Sequence, residues 1–414
     1  MPAEARSGGG EGKEAMEARV VVGTGPTKHD RRAIRQLKTL ARSRRLAHRT
    51  GGVFRWPDER NWAKFGAMAL TGRWRKEAGA RLAGSRPVDS SKVQAPGIVR
   101  LPGGGFRLFY TAVGPERPFP ECQGSIFSAL SADGLTFRPE PGFRIRPDPA
   151  LPYLSRRALA PSVTPAGLGW RMYFEARGPA GMPTGIASAV SADLLRWELE
   201  PGLRIESPGG VGAPRYLPLP EGGGRMYFFD SEYGPGGPAG GERLSQSVVS
   251  ASTSDGLNFT REPGYRMRDR QGDYDAVGIT AAEVIPPVSE GVDWTMIFSA
   301  WQDVPAGTVV PAHPSHDLAA PARGETVDFA AASIATDLAG YRSRIFAAYS
   351  TDGLSWGPSR CIVEGEGYGA AGLDAVHAED MTLAALGGGR YRMYYAACDC
   401  AGNFRIASAV MDGP

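Results

Sequence analysis

No run of about eighteen apolar residues occurs anywhere in the sequence, so no membrane-spanning helix is expected. The N-terminus lacks the apolar core that a secretory signal needs, which points to a cytoplasmic setting. Cysteine is scarce. The four thiols, Cys122, Cys361, Cys398 and Cys400, do not form a disulfide framework, and Cys398-Asp399-Cys400 lacks Cys-x-x-Cys spacing. An excess of one charge sign is also missing. With 47 basic and 44 acidic residues the net charge is +3, too little for a global field that would select nucleic acid or a membrane surface. What is abundant is glycine (56) and proline (34), as a turn-dense β fold requires.

Five stretches are near-copies: RLFYTAV ends at Val113, RMYFEAR at Arg177, RMYFFDS at Ser231, TMIFSAW at Trp301 and RMYYAAC at Cys398. Each follows a short step, Ala95-Pro96, Ala160-Pro161, Ala213-Pro214, Ala282-Glu283 or Ala378-Glu379. Four precede a third apolar stretch and an Asp-centred turn, at 131–137, 191–197, 253–259 and 350–356. A repeat of tens of residues with four short strands predicts an all-β, five-bladed β-propeller spanning 90–414. The fifth repeat reaches Asp412-Gly413 without a fourth strand. An open sheet edge is sticky, so the segment 51–89 is expected to close the ring and lead into blade one. Gly52–Trp56 resembles Asp193–Trp197 and is the expected strand, with Ala18–Val22 as the alternative.

Residues 1–27 are expected to be disordered, and 28–50 to form a basic helix with Ile34, Leu37 and Ala41 on one stripe. That helix either is solvated, docks on an acidic face of its own propeller, or meets a polyanion or membrane surface. About forty residues after Trp301, with His313, His316, Asp317 and Glu325, form either a lid or a surface excursion, and Val327–Leu338 has a helical pattern.

First strands of propeller blades line the central channel, so aligned repeats list residues that face one pocket. Glu283 and Glu379 stand where three repeats carry proline, and such departures from a local rule concentrate at functional sites. Glu283, Glu379, Asp380 and Asp230 are the candidate catalytic carboxyls. Arg215, Glu175, Arg177, Trp301, His377 and Gln94 are the candidate substrate contacts, a polar cup with one aromatic wall suited to a polyhydroxylated ligand. No cofactor is expected. The competing reading puts a metal on His377, Glu379 and Asp380, calcium if oxygen ligands dominate and zinc or iron if histidine does.

The S-x-D-G-x-x-W/F turn and the R/Y-M-Y-Y-A strand resemble the five-bladed propeller glycoside hydrolases, namely arabinanases, xylosidases, invertases and levansucrases. The resemblance implies an acid/base enzyme on a glycoside or other small molecule, with Glu283 as general acid and Glu379 or Asp380 as base. It also implies an Asp opening blade one and another opening blade three, where this chain has Ala95 and Ala213, so Asp230 and Asp89 become substitutes. Two readings compete with hydrolysis: a tailoring enzyme for cyclisation, elimination or transfer, and a non-catalytic carbohydrate-binding propeller.

Overall fold

The structure, a computed structural model, describes residues 73–89, 92–113, 124–179, 181–235, 242–268, 276–287, 293–303, 341–367 and 370–411. Segments 1–27 and 28–50, the Gly52–Trp56 and Ala18–Val22 candidates and the 304–340 excursion lie outside the described residues, as do the side chains of 301–303. The described residues are all-β apart from single 3-10 turns at Pro87–Asp89 and Pro152–Leu154. Among them no helix is long and apolar enough to cross a membrane.

The strands group into antiparallel modules. Module one is Lys92–Arg100, Phe106–Val113 and Gly124–Ser131; module two is Arg157–Ala166, Gly169–Arg177 and Gly185–Ser191. Module three is Val211–Pro218, Gly224–Pro235 and Glu242–Thr253, and module four is Ala276–Ile285, Trp294–Asp303 and Tyr341–Ser350. Module five is His377–Gly387, Arg390–Cys398 and Phe404–Met411. Single parallel bridges join neighbours at Gly124–Arg157, Gln246–Gly278 and Ser343–His377.

The S-x-D-G turn has a local cause. Ser131 Oγ accepts from the Gly134 amide, and Asp133 Oδ1 accepts from the amides of Leu135 and Thr136. This closes a left-handed corner at Gly134, φ 71°. In module two Leu194 takes that corner at φ 64°, and its burial in the core offsets the strain.

Each corner is also a joint between modules. The Tyr173, Tyr227 and Tyr394 hydroxyls donate to the carbonyls of Gly256, Gly353 and Gly134 in the next module. The last of these ties module five to module one. So does Thr382 Oγ1, which accepts from the Ile98 amide.

The outer edge of module five is filled by residues from the N-terminal side of module one. Trp74–Lys76 and Leu82–Ala83 pair with Phe404–Met411. The sequence there, WRKEAGAR (74–81), copies FRPEPGFR (137–144), WELEPGLR (197–204) and FTREPGYR (259–266).

The shared glutamate explains the match. Glu140 bridges Arg107 and Ser128, Glu200 bridges Arg171 and Ser188, and Glu262 bridges Arg225 and Ser250. Glu77 does the same with Arg392 and Ser408, across more than three hundred residues of chain. Burial raises the proton affinity of Glu77, but Arg392 and Ser408 outweigh it and hold its carboxyl below the usual range. Glu77→Gln should therefore cost about 2 kcal/mol in urea unfolding at pH 7, typical of hydrogen bonds to a charged group. The gap from wild type should close as pH falls through the depressed carboxyl pKa.

Candidate active site

The first strand of each module carries a bulge. It falls between Gln94 and Gly97, Leu159 and Ser162, Gly212 and Arg215, Ile279 and Ala282, and Glu379 and Thr382. In three modules the first bulged residue is an alanine in the left-handed region, Ala95 at φ 47°, Ala160 at 50° and Ala213 at 46°. In module five it is Asp380, at φ 49°. The amide of this residue is capped by the preceding module. Thr111 Oγ1 takes the Ala160 amide, Glu175 Oε2 the Ala213 amide, and Ser299 Oγ the Asp380 amide.

This register corrects the sequence alignment. Asp380, not Ala378, occupies the alanine slot, and Glu379 matches Gln94, Leu159 and Gly212. Glu283, opposite Ile297, shares its ladder position with Arg215, opposite Tyr227. Neither glutamate stands in a proline slot.

Ala95, Ala160, Ala213, Ala281 and Ala378 share one buried cluster, so the first strands of all five modules meet. Arg215 lies at that meeting point. Its Nη2 donates to the carbonyls of Pro96 (3.2 Å) and Met381 (3.2 Å), in modules one and five. Its Nη1 donates to Pro214 O at 3.0 Å, and its Nε is 3.3 Å from Glu283 Oε2 in module four. The Arg215 side chain is 6% accessible, whereas that of Glu283 keeps 26%.

Burial lifts both half-open carboxyls. Desolvation raises the pKa of Glu283 above the usual carboxyl range, and Arg215 offsets only part of that rise. Desolvation raises Asp380 to about 7; the neighbouring Glu379 adds to this, while Arg215 and Lys92 oppose it. One carboxyl faces a cation at contact distance, and the other shares its surroundings with a second carboxyl.

No protein-family model matches the chain, and no curated protein matches it in sequence. Solved structures do. A structure titled glycoside hydrolase superposes with a TM-score of 0.57 at 12% identity, over 82% of this chain and 93% of that one. A β-1,2-mannobiose phosphorylase from Listeria innocua gives 0.55 at 14% identity, over 82% and 96%. A family 117 glycoside hydrolase from the marine bacterium Zobellia galactanivorans gives 0.51 at 14% identity, over 82% and 90%. The chain shares the fold of these three structures.

Within that fold the expected site residues divide. Glu283, Asp380, Glu379 and Arg215 come together. Lys92, buried over the Phe404 ring at 4.0 Å, belongs with them and was not expected, because it precedes the recognisable repeat motif. His377 stacks against Phe404, with Nδ1 3.1 Å from Ser343 Oγ and 3.9 Å from Glu379. Among the described residues no three His, Cys, Asp or Glu side chains are arranged to hold a metal ion. Gln94 is half-buried opposite Thr111, and Trp301 lies on its strand opposite Ser343.

Glu175 and Arg177 are buried in a 2.5 Å ion pair, and Glu175 caps the Ala213 amide, so their polar atoms serve the module junction rather than a ligand. Asp230 is not with the group. It accepts from Ser207 Oγ at 2.6 Å and pairs with Arg261 on the outer strand, because residues after Phe229 alternate to the opposite face. Asp89 caps the amides of Ser85 and Arg86. Asp230→Asn should accordingly leave turnover within about threefold of wild type while lowering the melting temperature, because a buried carboxylate loses its charge-assisted partners Ser207 and Arg261. Parallel activity and thermal-shift assays check both halves.

Proposed function

We propose that the modules are the blades of a closed five-bladed β-propeller, and that the chain is an enzyme acting on a glycoside or other polyhydroxylated small molecule at the ring centre. The observation that carries this reading is the pair Asp380 and Glu283, two half-buried carboxyls in unlike surroundings around one buried guanidinium. Burial raises the proton affinity of both, and they differ in what faces them, a second carboxyl beside Asp380 and a guanidinium beside Glu283, which is the asymmetry that divides acid from base. Asp380, beside Glu379, holds its proton and delivers it to the leaving oxygen as the glycosidic C–O bond breaks. Glu283, whose charged form Arg215 favours, takes a proton from the water that attacks the anomeric carbon. This reverses the assignment expected from sequence, in which Glu283 was the acid. The fold shared with glycoside hydrolases and a mannobiose phosphorylase supports the substrate class.

A second reading has a specific observation behind it. Ala95 and Ala213 leave modules one and three without an acidic side chain in the left-handed slot. That favours a tailoring reaction needing one acid and one base over polysaccharide digestion. The test is a panel of aryl glycosides and small polyhydroxylated metabolites, followed by mass spectrometry, with Glu283→Gln/Asp380→Asn as control. Release of the aryl alcohol by wild type alone supports the hydrolase. A product of unchanged mass supports cyclisation or isomerising elimination. Turnover equal in wild type and the double variant would remove the site from the chemistry.

A further inference from the structure

We propose that Arg215 is a positioning residue for this site: its guanidinium joins the backbones of modules one and five to the carboxylate of module four, and so sets the spacing of Glu283 and Asp380 instead of contacting the ligand. The inference rests on reading those two carboxyls as an acid/base pair.

Four observations lead to it. Two of the three guanidinium nitrogens of Arg215 donate to protein, and the third, Nε, is buried without a hydrogen bond. Nη1 and Nη2 serve three backbone carbonyls, Nε faces Glu283, and the residue is 5% exposed. The carbonyls it grips are also not arbitrary. Pro96 and Met381 each follow a left-handed bulge residue, Ala95 and Asp380. Holding the Met381 carbonyl therefore fixes the peptide immediately after Asp380 and with it the direction of the Asp380 side chain.

Only modules three and four place a long side chain at this level, Arg215 and its partner Glu283. At the same ladder position the other modules have Gly97, Ser162 and Thr382 besides Glu283. A Cβ at Gly97 would meet the Pro161 carbonyl at 2.3 Å, so that position admits no side chain. Ser162 and Thr382 are occupied as caps for the Tyr216 and Ile98 amides. Finally, a guanidinium buried against carbonyls needs an anion, and Glu283 is the carboxylate its Nε faces.

The charges around the pair are mixed. Arg215 faces Glu283; Glu379, Arg215, Lys92 and Glu175 act on Asp380, with His377 beside Glu379 and Arg177 on Glu175. Removing the cation takes away a force that favours ionisation at both carboxyls. Both limbs of the pH–rate profile should then move to higher pH. The acid limb, which belongs to Glu283, should move further because its partner is in contact.

The experiment compares Arg215→Met and Arg215→Lys with wild type on an aryl glycoside. For Arg215→Met we expect kcat to fall by about 100-fold, the loss typical of a catalytic group misplaced by about 1 Å. KM should stay within about threefold, and the acid limb should rise by about one pH unit or more. Millimolar guanidinium ion should restore part of the rate. Arg215→Lys keeps the charge but cannot span two carbonyls. It should keep the wild-type limbs with a reduced kcat, and it serves if the methionine variant does not fold.

Unshifted limbs with a tenfold rise in KM would make Arg215 a ligand contact and overturn the proposal, as would a wild-type kcat in Arg215→Lys. A thermal-unfolding cycle of Arg215→Met, Glu283→Gln and the double variant needs no substrate. Non-additive shifts support the coupling and additive ones overturn it. If wild type turns over no glycoside, the enzymatic reading fails while this cycle still decides the role of Arg215.

Discussion

Asp380→Ala should lower turnover of an unactivated glycoside by about 1,000-fold, the range for loss of a general acid, and leave a protein more stable than wild type at neutral pH. The two effects have one origin. Asp380 sits in the left-handed region, which costs a non-glycine residue energy that the surrounding structure must offset. Ala95, Ala160 and Ala213 hold the same conformation in three other modules, so alanine is already fitted to the backbone, and the amide cap from Ser299 needs no side chain at 380. The carboxyl itself is a burden in the folded state. Its pKa is raised by burial and by Glu379, so ionising it favours unfolding. Wild type therefore loses stability as pH climbs from the unfolded carboxyl pKa near 4 to the folded value of about 7. Urea unfolding of the two proteins should agree at pH 4 and diverge steadily up to pH 7, by on the order of 2 kcal/mol in favour of the variant. A variant that is less stable at pH 7, or that keeps full turnover, would separate this carboxyl from the site.

The repeat was legible because its signal is physical and local. Ser and Asp at fixed offsets build the left-handed corner, and the Arg-Met-Tyr stretch grips the next corner. The residues that fill the last edge were equally legible but were sought in the wrong place. Matching on DLLRW led to Gly52–Trp56, whereas aromatic-x-x-Glu-x-x-x-Arg marks all four outer segments of this kind, including Trp74–Arg81. The glutamate is the informative member because it neutralises the second-strand arginine. Module four confirms the logic from within the chain: Thr295, Ala347 and Ser359 stand where the other modules have Arg, Ser and Glu, so the three members change together.

The site was less legible, and the bulge is the reason. A two-residue excursion in the first strand shifts the count of every residue after it, and nothing in the Ala-Glu steps shows where it falls. Aligning on alanine put Ala378 in the slot that Asp380 holds. Glu283 and Glu379 were found for an incorrect reason, since neither replaces a proline. Arg215 was identified as polar and central, but its three carbonyl partners are main-chain atoms contributed by three modules, which no side-chain pattern encodes. Asp230 broke the repeat's alanine rule and still belongs to the outer face. A departure from repeat consensus marks a site only when the strand's alternation also points it inward.

Glu283→Gln should lose about 1,000-fold or more on every glycoside, whatever its leaving group, and this separates it from Asp380→Ala. The two carboxyls act differently on the breaking bond. An alkoxide leaves poorly, so an alkyl glycoside depends on a proton delivered as the C–O bond lengthens, and removing Asp380 removes that proton. A dinitrophenolate leaves unassisted, so the corresponding aryl glycoside should lose less than about tenfold in Asp380→Ala. The proton that Glu283 accepts comes from the attacking water and is unrelated to the leaving group. Its removal should therefore slow both substrates alike. Glutamine keeps the volume beside Arg215 and an oxygen that accepts from the guanidinium, so ligand affinity should hold while kcat falls. If the leaving-group dependence appears in Glu283→Gln and not in Asp380→Ala, the acid and base are the other way round, and the contact between Arg215 and Glu283 does not decide which carboxyl is ionised.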